Sequence, residues 1–149
     1  MSYGRRFGFL AAGALGALMV AGTWGFGGAQ SVAAQASTRM TITLNEYQII
    51  SERASVPAGE VTFDVVNTGE ENHELILFKS DKDVKSLPLT AAKDEVDEAQ
   101  MGEQVGGWED LEPAATASGT LILAPGKYIL LCNLAKHYGA GMVGTLTVE

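Results

Sequence analysis

The sequence predicts an all-β domain, a sandwich of seven or so short antiparallel strands with one short helical insertion. Three observations lead there. Segments such as Glu60 to Asn67 (EVTFDVVN) alternate apolar and polar residues, the period of a half-buried strand. Turn signals separate such segments: Pro57-Ala58-Gly59, a polar turn around Gly69, and Pro125-Gly126. The chain has 149 residues, enough for one hydrophobic core, and its one cysteine excludes an internal disulfide.

The first segment is not part of that sandwich. Arg5 and Arg6 precede 23 uncharged residues, Phe7 to Ala29, and Ala34-Gln35-Ala36 places small residues at the positions a signal peptidase reads. Residues 1–36 are therefore expected to be an export signal cleaved after Ala36. The competing reading is an uncleaved membrane anchor, since the run exceeds the roughly 20 residues that span a bilayer. The paired arginines resemble a twin-arginine signal, from which Gly8 departs. In either case residues 37–149 are exported, to the periplasm or the extracytoplasmic face of the membrane. Only the uncleaved helix would attach the chain to a membrane. The domain over 37–149 keeps eight basic against 18 acidic residues, a net charge of −10. That excludes nucleic acid as a partner, because the phosphate backbone selects basic surfaces.

Within 37–149 the elements follow in order. RMTITLNEYQIIS, residues 39–51, is rich in Thr, Ile and Tyr and reads as one or two strands. Residues 60–67 place Val61, Phe63 and Val65 on one face. A polar turn follows over 68–72, and HELILFK, residues 73–79, is an apolar strand. Residues 80–112 change character: helix formers over 90–104 predict a short helix. Asp94 to Glu112 holds eight carboxylates and no Lys or Arg, read as a solvated face, with a docking patch for a basic redox partner as the alternative. Trp108 is read as a partly buried packing residue. Strands resume at 118–124, 127–132 and 142–149.

The C-terminal stretch CNLAKHYGAGM concentrates the scarce residues. It contains the sole cysteine, Cys132, one of two histidines, His137, and Met142, each pair separated by four residues. Strand parity puts Cys132 on the face of Tyr128 and Leu130, and Met142 on the face of Leu146 and Val148. His73 begins a separate strand. If that strand neighbours the one ending at Cys132, four ligands converge at one end of the sandwich. A thiolate, two imidazoles and a weak axial thioether are the donor set of a trigonal copper site of the electron-transfer kind. Zinc accepts Cys and His, but a thioether is an uncommon ligand for it. Each residue alone has an ordinary reading as core or surface; both histidines and the only thiol on one template do not.

The run Pro125-Gly126-Lys127-Tyr128, Cys132-x4-His137-x4-Met142 and Val143-Gly144-Thr145-Leu146-Thr147-Val148 resembles the C-terminal signature of cupredoxins, the small blue copper proteins. Phe63 to Gly69 followed by His73-Glu74 resembles their upstream ligand region. Many members carry Asn or Ser after the first histidine; Glu74 stands there in this chain. The resemblance implies a Greek-key β-sandwich and one type 1 copper, Cu(I)/Cu(II), with His73, Cys132 and His137 as equatorial ligands and Met142 as axial ligand. It implies a monomeric one-electron carrier, not an enzyme, that serves a redox partner such as a cytochrome, an oxidase or a reductase. His137 would pass the electron, with Tyr138 and Ala140 on the partner-facing rim. The alternative is a copper-binding module for delivery or storage. A multicopper enzyme is excluded, since both histidines are already committed.

Overall fold

Two β-sheets pack face to face in this computed structural model, which describes residues 37–149. The expected export segment, residues 1–36, lies outside the described residues. The first sheet has the order β2-β1-β4-β7: β1 is Thr38–Asn45, β2 Gln48–Ser51, β4 Gly59–Asn67 and β7 Thr116–Leu123. The second has the order β3-β9-β8-β5-β6: β3 is Ser55–Val56, β5 His73–Lys79, β6 Glu103–Leu111, β8 Gly126–Leu131 and β9 Val143–Val148. Among the described residues no helix is long and apolar enough to cross a membrane.

The strand alternation read from the sequence is the alternation of burial. Met40, Ile42 and Leu44 of β1 lie beside Val61, Phe63 and Val65 of the neighbouring β4, all on the face turned to the core between the sheets. Tyr128, Leu130, Cys132, Met142, Leu146 and Val148 join the same core, as parity required. Trp108 packs against it, its ring centroid 5.7 Å from that of Phe63. Each fully buried side chain of this size contributes about 1.5–3 kcal/mol. The continuous apolar runs of β5 and β8 have a different cause. Ile76, Phe78, Ile129 and Leu131 point to the other side of the second sheet, where Leu87, Val96 and Met101 cover them. Both strands are thus buried on two faces.

Three expectations need correction. The sandwich is not wholly antiparallel: β1 runs parallel to β4, with Met40 opposite Phe63, and β3 runs parallel to β9. After β2 the chain leaves for the second sheet as β3 and returns beside β1, and such a crossover gives a parallel pair. The helix expected over 90–104 does not form; only a 3-10 turn, Glu98–Gln100, is present. Lys93 and Gly102 take φ of 62° and 107°, which interrupt any helix. Asp94, Asp97 and Glu98 would repel at i,i+3 and i,i+4 spacing on a helix surface. Val96 and Met101 instead bury singly as the chain covers β5 and β8. Finally, Glu103–Leu111 is a strand, paired with β5. Gly106 allows its close approach to the other sheet, since a Cβ there would lie 2.7 Å from the Leu121 side chain.

Candidate metal centre

His73, Cys132 and His137 meet at one pole of the sandwich, their ligand atoms all within 4.8 Å of one another. Three pieces of backbone bring them there. His73 is the first residue of β5, where the register with β6 shifts between His73 and Leu75. Three residues of β6 then oppose two of β5, a bulge of the kind that re-aims a side chain. Cys132 follows the last residue of β8, which pairs with β5, so the thiol and His73 lie on neighbouring strands. His137 sits in the tight loop from β8 to β9. That loop is closed by its own backbone: His137 N–H donates to Leu134 O (2.9 Å), Met142 N–H to His137 O (3.0 Å) and Cys132 N–H to Met142 O (3.2 Å). Gly141, at φ 107°, makes the turn sterically free of strain.

The donor atoms face inward. His73 Nδ1 and His137 Nδ1 are 3.4 Å apart, and Cys132 Sγ is 3.3 Å from His137 Nδ1. His73, Cys132 and Met142 are fully buried, and His137 alone reaches the surface, at 9% exposure. Burial pushes the Cys132 thiol above its ordinary range. Burial first, and then the neighbouring His137, holds His73 below the ordinary imidazole range. Two imidazole nitrogens and a sulfur thus lie within reach of one another in the buried interior. A soft cation satisfies them together, so the donor set fits the ion that the sequence suggested. Met142 lies in the same buried cluster as Cys132.

Solved structures of other proteins share this architecture. Reduced auracyanin from the photosynthetic bacterium Roseiflexus castenholzii matches with 25% identity over 77% of this chain and 99% of its own, at a TM-score of 0.57. Auracyanin A, a "blue" copper protein from the green thermophilic photosynthetic bacterium Chloroflexus aurantiacus, matches with 20% identity over 75% of this chain and 100% of its own, at a TM-score of 0.54. Rusticyanin from Thiobacillus ferrooxidans matches with 16% identity over 76% of this chain and 79% of its own, at a TM-score of 0.53. The chain has the cupredoxin fold. No protein-family model matches it, and the comparison with curated proteins finds no match.

The domain supports the candidate site with residues that the motif did not name. Asn67 ends β4 fully buried: its Nδ2 donates to Glu71 O and to Leu111 O, both at 2.8 Å, and its Oδ1 accepts from Gly69 N–H at 2.9 Å. It thereby ties the turn before His73 to the strand end opposite His73. A signal for it was present, since Asn67 shares the inward parity of Val61, Phe63 and Val65. Glu74, the departure from the family pattern, accepts the Asn133 N–H at 2.8 Å and so steadies the residue after Cys132. Segment 80–102 grips the ligand loop from the other side. Asn133 Oδ1 accepts from Val96 N–H (2.7 Å), its Nδ2 donates to Glu98 Oε1 (2.8 Å), and Lys136 N–H donates to Asp94 O (2.7 Å). Tyr138 turns into the same segment: its hydroxyl donates to Val84 O (2.9 Å) and accepts from Leu87 N–H (3.0 Å). Part of the acidic tract therefore anchors the loop. Of the expected rim, Ala140 is exposed and Tyr138 is partly buried.

Proposed function

We propose that His73, Cys132, His137 and Met142 hold one copper ion and that the chain carries single electrons between redox partner proteins. The observation that carries this reading is the convergence of the only thiol and both imidazoles, within 4.8 Å, in a buried pocket of a cupredoxin fold. Bound there, copper supplies a one-electron couple between Cu(I) and Cu(II). The chain's own part is to keep the donors still. Two sheets, a closed backbone loop and the grip of segment 80–102 fix the thiol and the rings, so little rearrangement accompanies a change of charge. His137 provides the edge through which an electron enters and leaves, because the other three ligands are fully buried. Residues 1–36 serve as the export signal and residues 37–149 as the copper domain, at work in the periplasm or on the extracytoplasmic face. A cytochrome, an oxidase or a reductase is the partner class.

Copper delivery is disfavoured by a specific observation. Export carriers of copper(I) need accessible thioethers, and Met40, Met101 and Met142 are all buried, at 1%, 0% and 0% exposure. The two readings separate in one experiment. The copper-loaded domain mixed with a reduced cytochrome should exchange electrons and keep its metal. Transfer of copper to an apo acceptor, without electron exchange, would replace the carrier reading by the delivery one.

Loading should also depend on pH in a defined way. With its thiol held above the ordinary range, Cys132 is protonated near neutrality in the metal-free chain, and binding releases that proton. Affinity should therefore fall about tenfold per pH unit as pH drops from neutrality. His73, held below the ordinary imidazole range by burial, adds its own proton to the dependence at lower pH than an ordinary imidazole would. Competition titration against a chelator across pH checks this; a pH-independent affinity would argue against thiolate ligation.

A further inference from the structure

Each imidazole of the centre has a second nitrogen, and both of these face a carboxylate. His137 Nε2 lies 3.5 Å from Glu71 Oε2. His73 Nε2 lies 4.0 Å from Glu46 Oε1, and that buried nitrogen has no hydrogen-bond partner of its own. The carboxylates come from separate places: Glu46 from the two-residue turn between β1 and β2, Glu71 from the turn before His73.

Both are held in position. Glu46 Oε1 accepts from the backbone N–H of Glu70 and, at 3.3 Å, of Glu71, which pins one turn to the other. Gly69 leaves room for this arrangement: a Cβ there would collide with Glu46 Oε1 and stand 3.0 Å from His73 Nε2. Tyr47, next to Glu46, adopts φ 61°, a strained value for a bulky residue that persists only where surroundings demand it. The two-residue turn between β1 and β2 calls for a positive φ at its second residue, and this turns Tyr47 toward the site. The Tyr47 ring meets His137 edge-on, with centroids 5.4 Å apart and planes at 89°, and its hydroxyl lies 3.5 Å from Glu71 Oε2.

An imidazole that gives one nitrogen to a metal carries its proton on the other. A carboxylate that takes that N–H selects the tautomer, orients the ring and makes it a stronger donor. We propose that Glu46 and Glu71 are positioning residues of this centre, Glu46 for the outer N–H of His73 and Glu71 for that of His137, and that together they favour the oxidised ion. This rests on the copper reading above. The neutral oxygen of an amide can still accept from Glu70 and Glu71 N–H, so replacing Glu46 by glutamine leaves the joined turns intact while it removes the charge.

The test is the reduction potential of the copper-loaded full chain for Glu46→Gln, Glu71→Gln and a control, Glu60→Gln. Glu60 is exposed near the far end of β4, with residues 61–67 between it and the site turn, and carries the same charge. Each site variant should stay blue and lose about tenfold in copper(II) affinity relative to copper(I). That loss is an upward shift of about 59 mV, with none for the control. Nitrogen NMR of the copper(I) form should show the proton on Nε2 of both rings in the unmodified chain. Unshifted potentials in both site variants, or an equal shift in the control, overturn the proposal and leave the copper reading intact. A colourless copper adduct of the unmodified chain overturns both.

Discussion

Cys132→Ser should abolish the blue colour of the copper-loaded protein altogether. Intense visible absorption at such a centre needs a thiolate bound to copper(II), and Cys132 is the only thiol in the chain. A serine hydroxyl stays protonated near neutrality and is a hard donor, so neither the electronic band nor the preference for copper(I) survives. Copper affinity should fall by more than about 100-fold, beyond what the loss of an outer partner causes. The fold should persist. The side chain is fully buried, and an extra hydroxyl there costs about 1–3 kcal/mol, less than a domain's usual stability. Visible absorption, spin resonance and circular dichroism of the two proteins decide it. A variant that folds, binds copper and remains blue would remove Cys132 from the centre.

Asn67→Ala should destabilise the domain by about 3 kcal/mol, because two backbone carbonyls and one amide lose their partner at once and each costs about 1–3 kcal/mol if buried, less where water reaches. For 113 residues, that corresponds to a fall of about 12 °C in Tm. The change should also loosen the site, since Asn67 joins the turn carrying Glu71 to the end of β6 that opposes His73. Faster copper loss should therefore accompany the lower Tm, even at temperatures where the variant is folded. Thermal unfolding of the metal-free protein, with copper release followed by a chelator, measures both. A Tm within about 2 °C of the parent would show that water or local relaxation replaces the asparagine.

How much of the fold was legible follows from what each segment does. β4 was readable because it buries one face, and period two writes that into Val61, Phe63 and Val65. β5 and β8 were readable for the opposite reason: burial on both faces leaves an unbroken apolar run. β6 was not. Gly106 and Gly107 interrupt its pattern, and its acidic residues resemble those of the segment before it, whose composition predicts a helix. Composition favoured that helix, but the apolar residues of 90–104 do not fall on one helical face, and covering β5 and β8 was worth more than local hydrogen bonding.

The primary structure alone determined which atoms are available to a metal: one thiol, two imidazoles and a thioether, three of them within eleven residues. It also determined which sides of their strands Cys132 and Met142 take, because parity is a local property of an extended chain. Tertiary structure decided everything that joins distant turns. The parallel pairing of β1 with β4 could not be read, since a strand has the same period whichever way its neighbour runs. The carboxylates of Glu46 and Glu71, the Asn67 clamp and the hold of segment 80–102 on the ligand loop come from stretches of chain with no common pattern. Only the packing of two sheets brings those turns to one pole, and side-chain contacts made across such distances leave no periodic trace in the sequence.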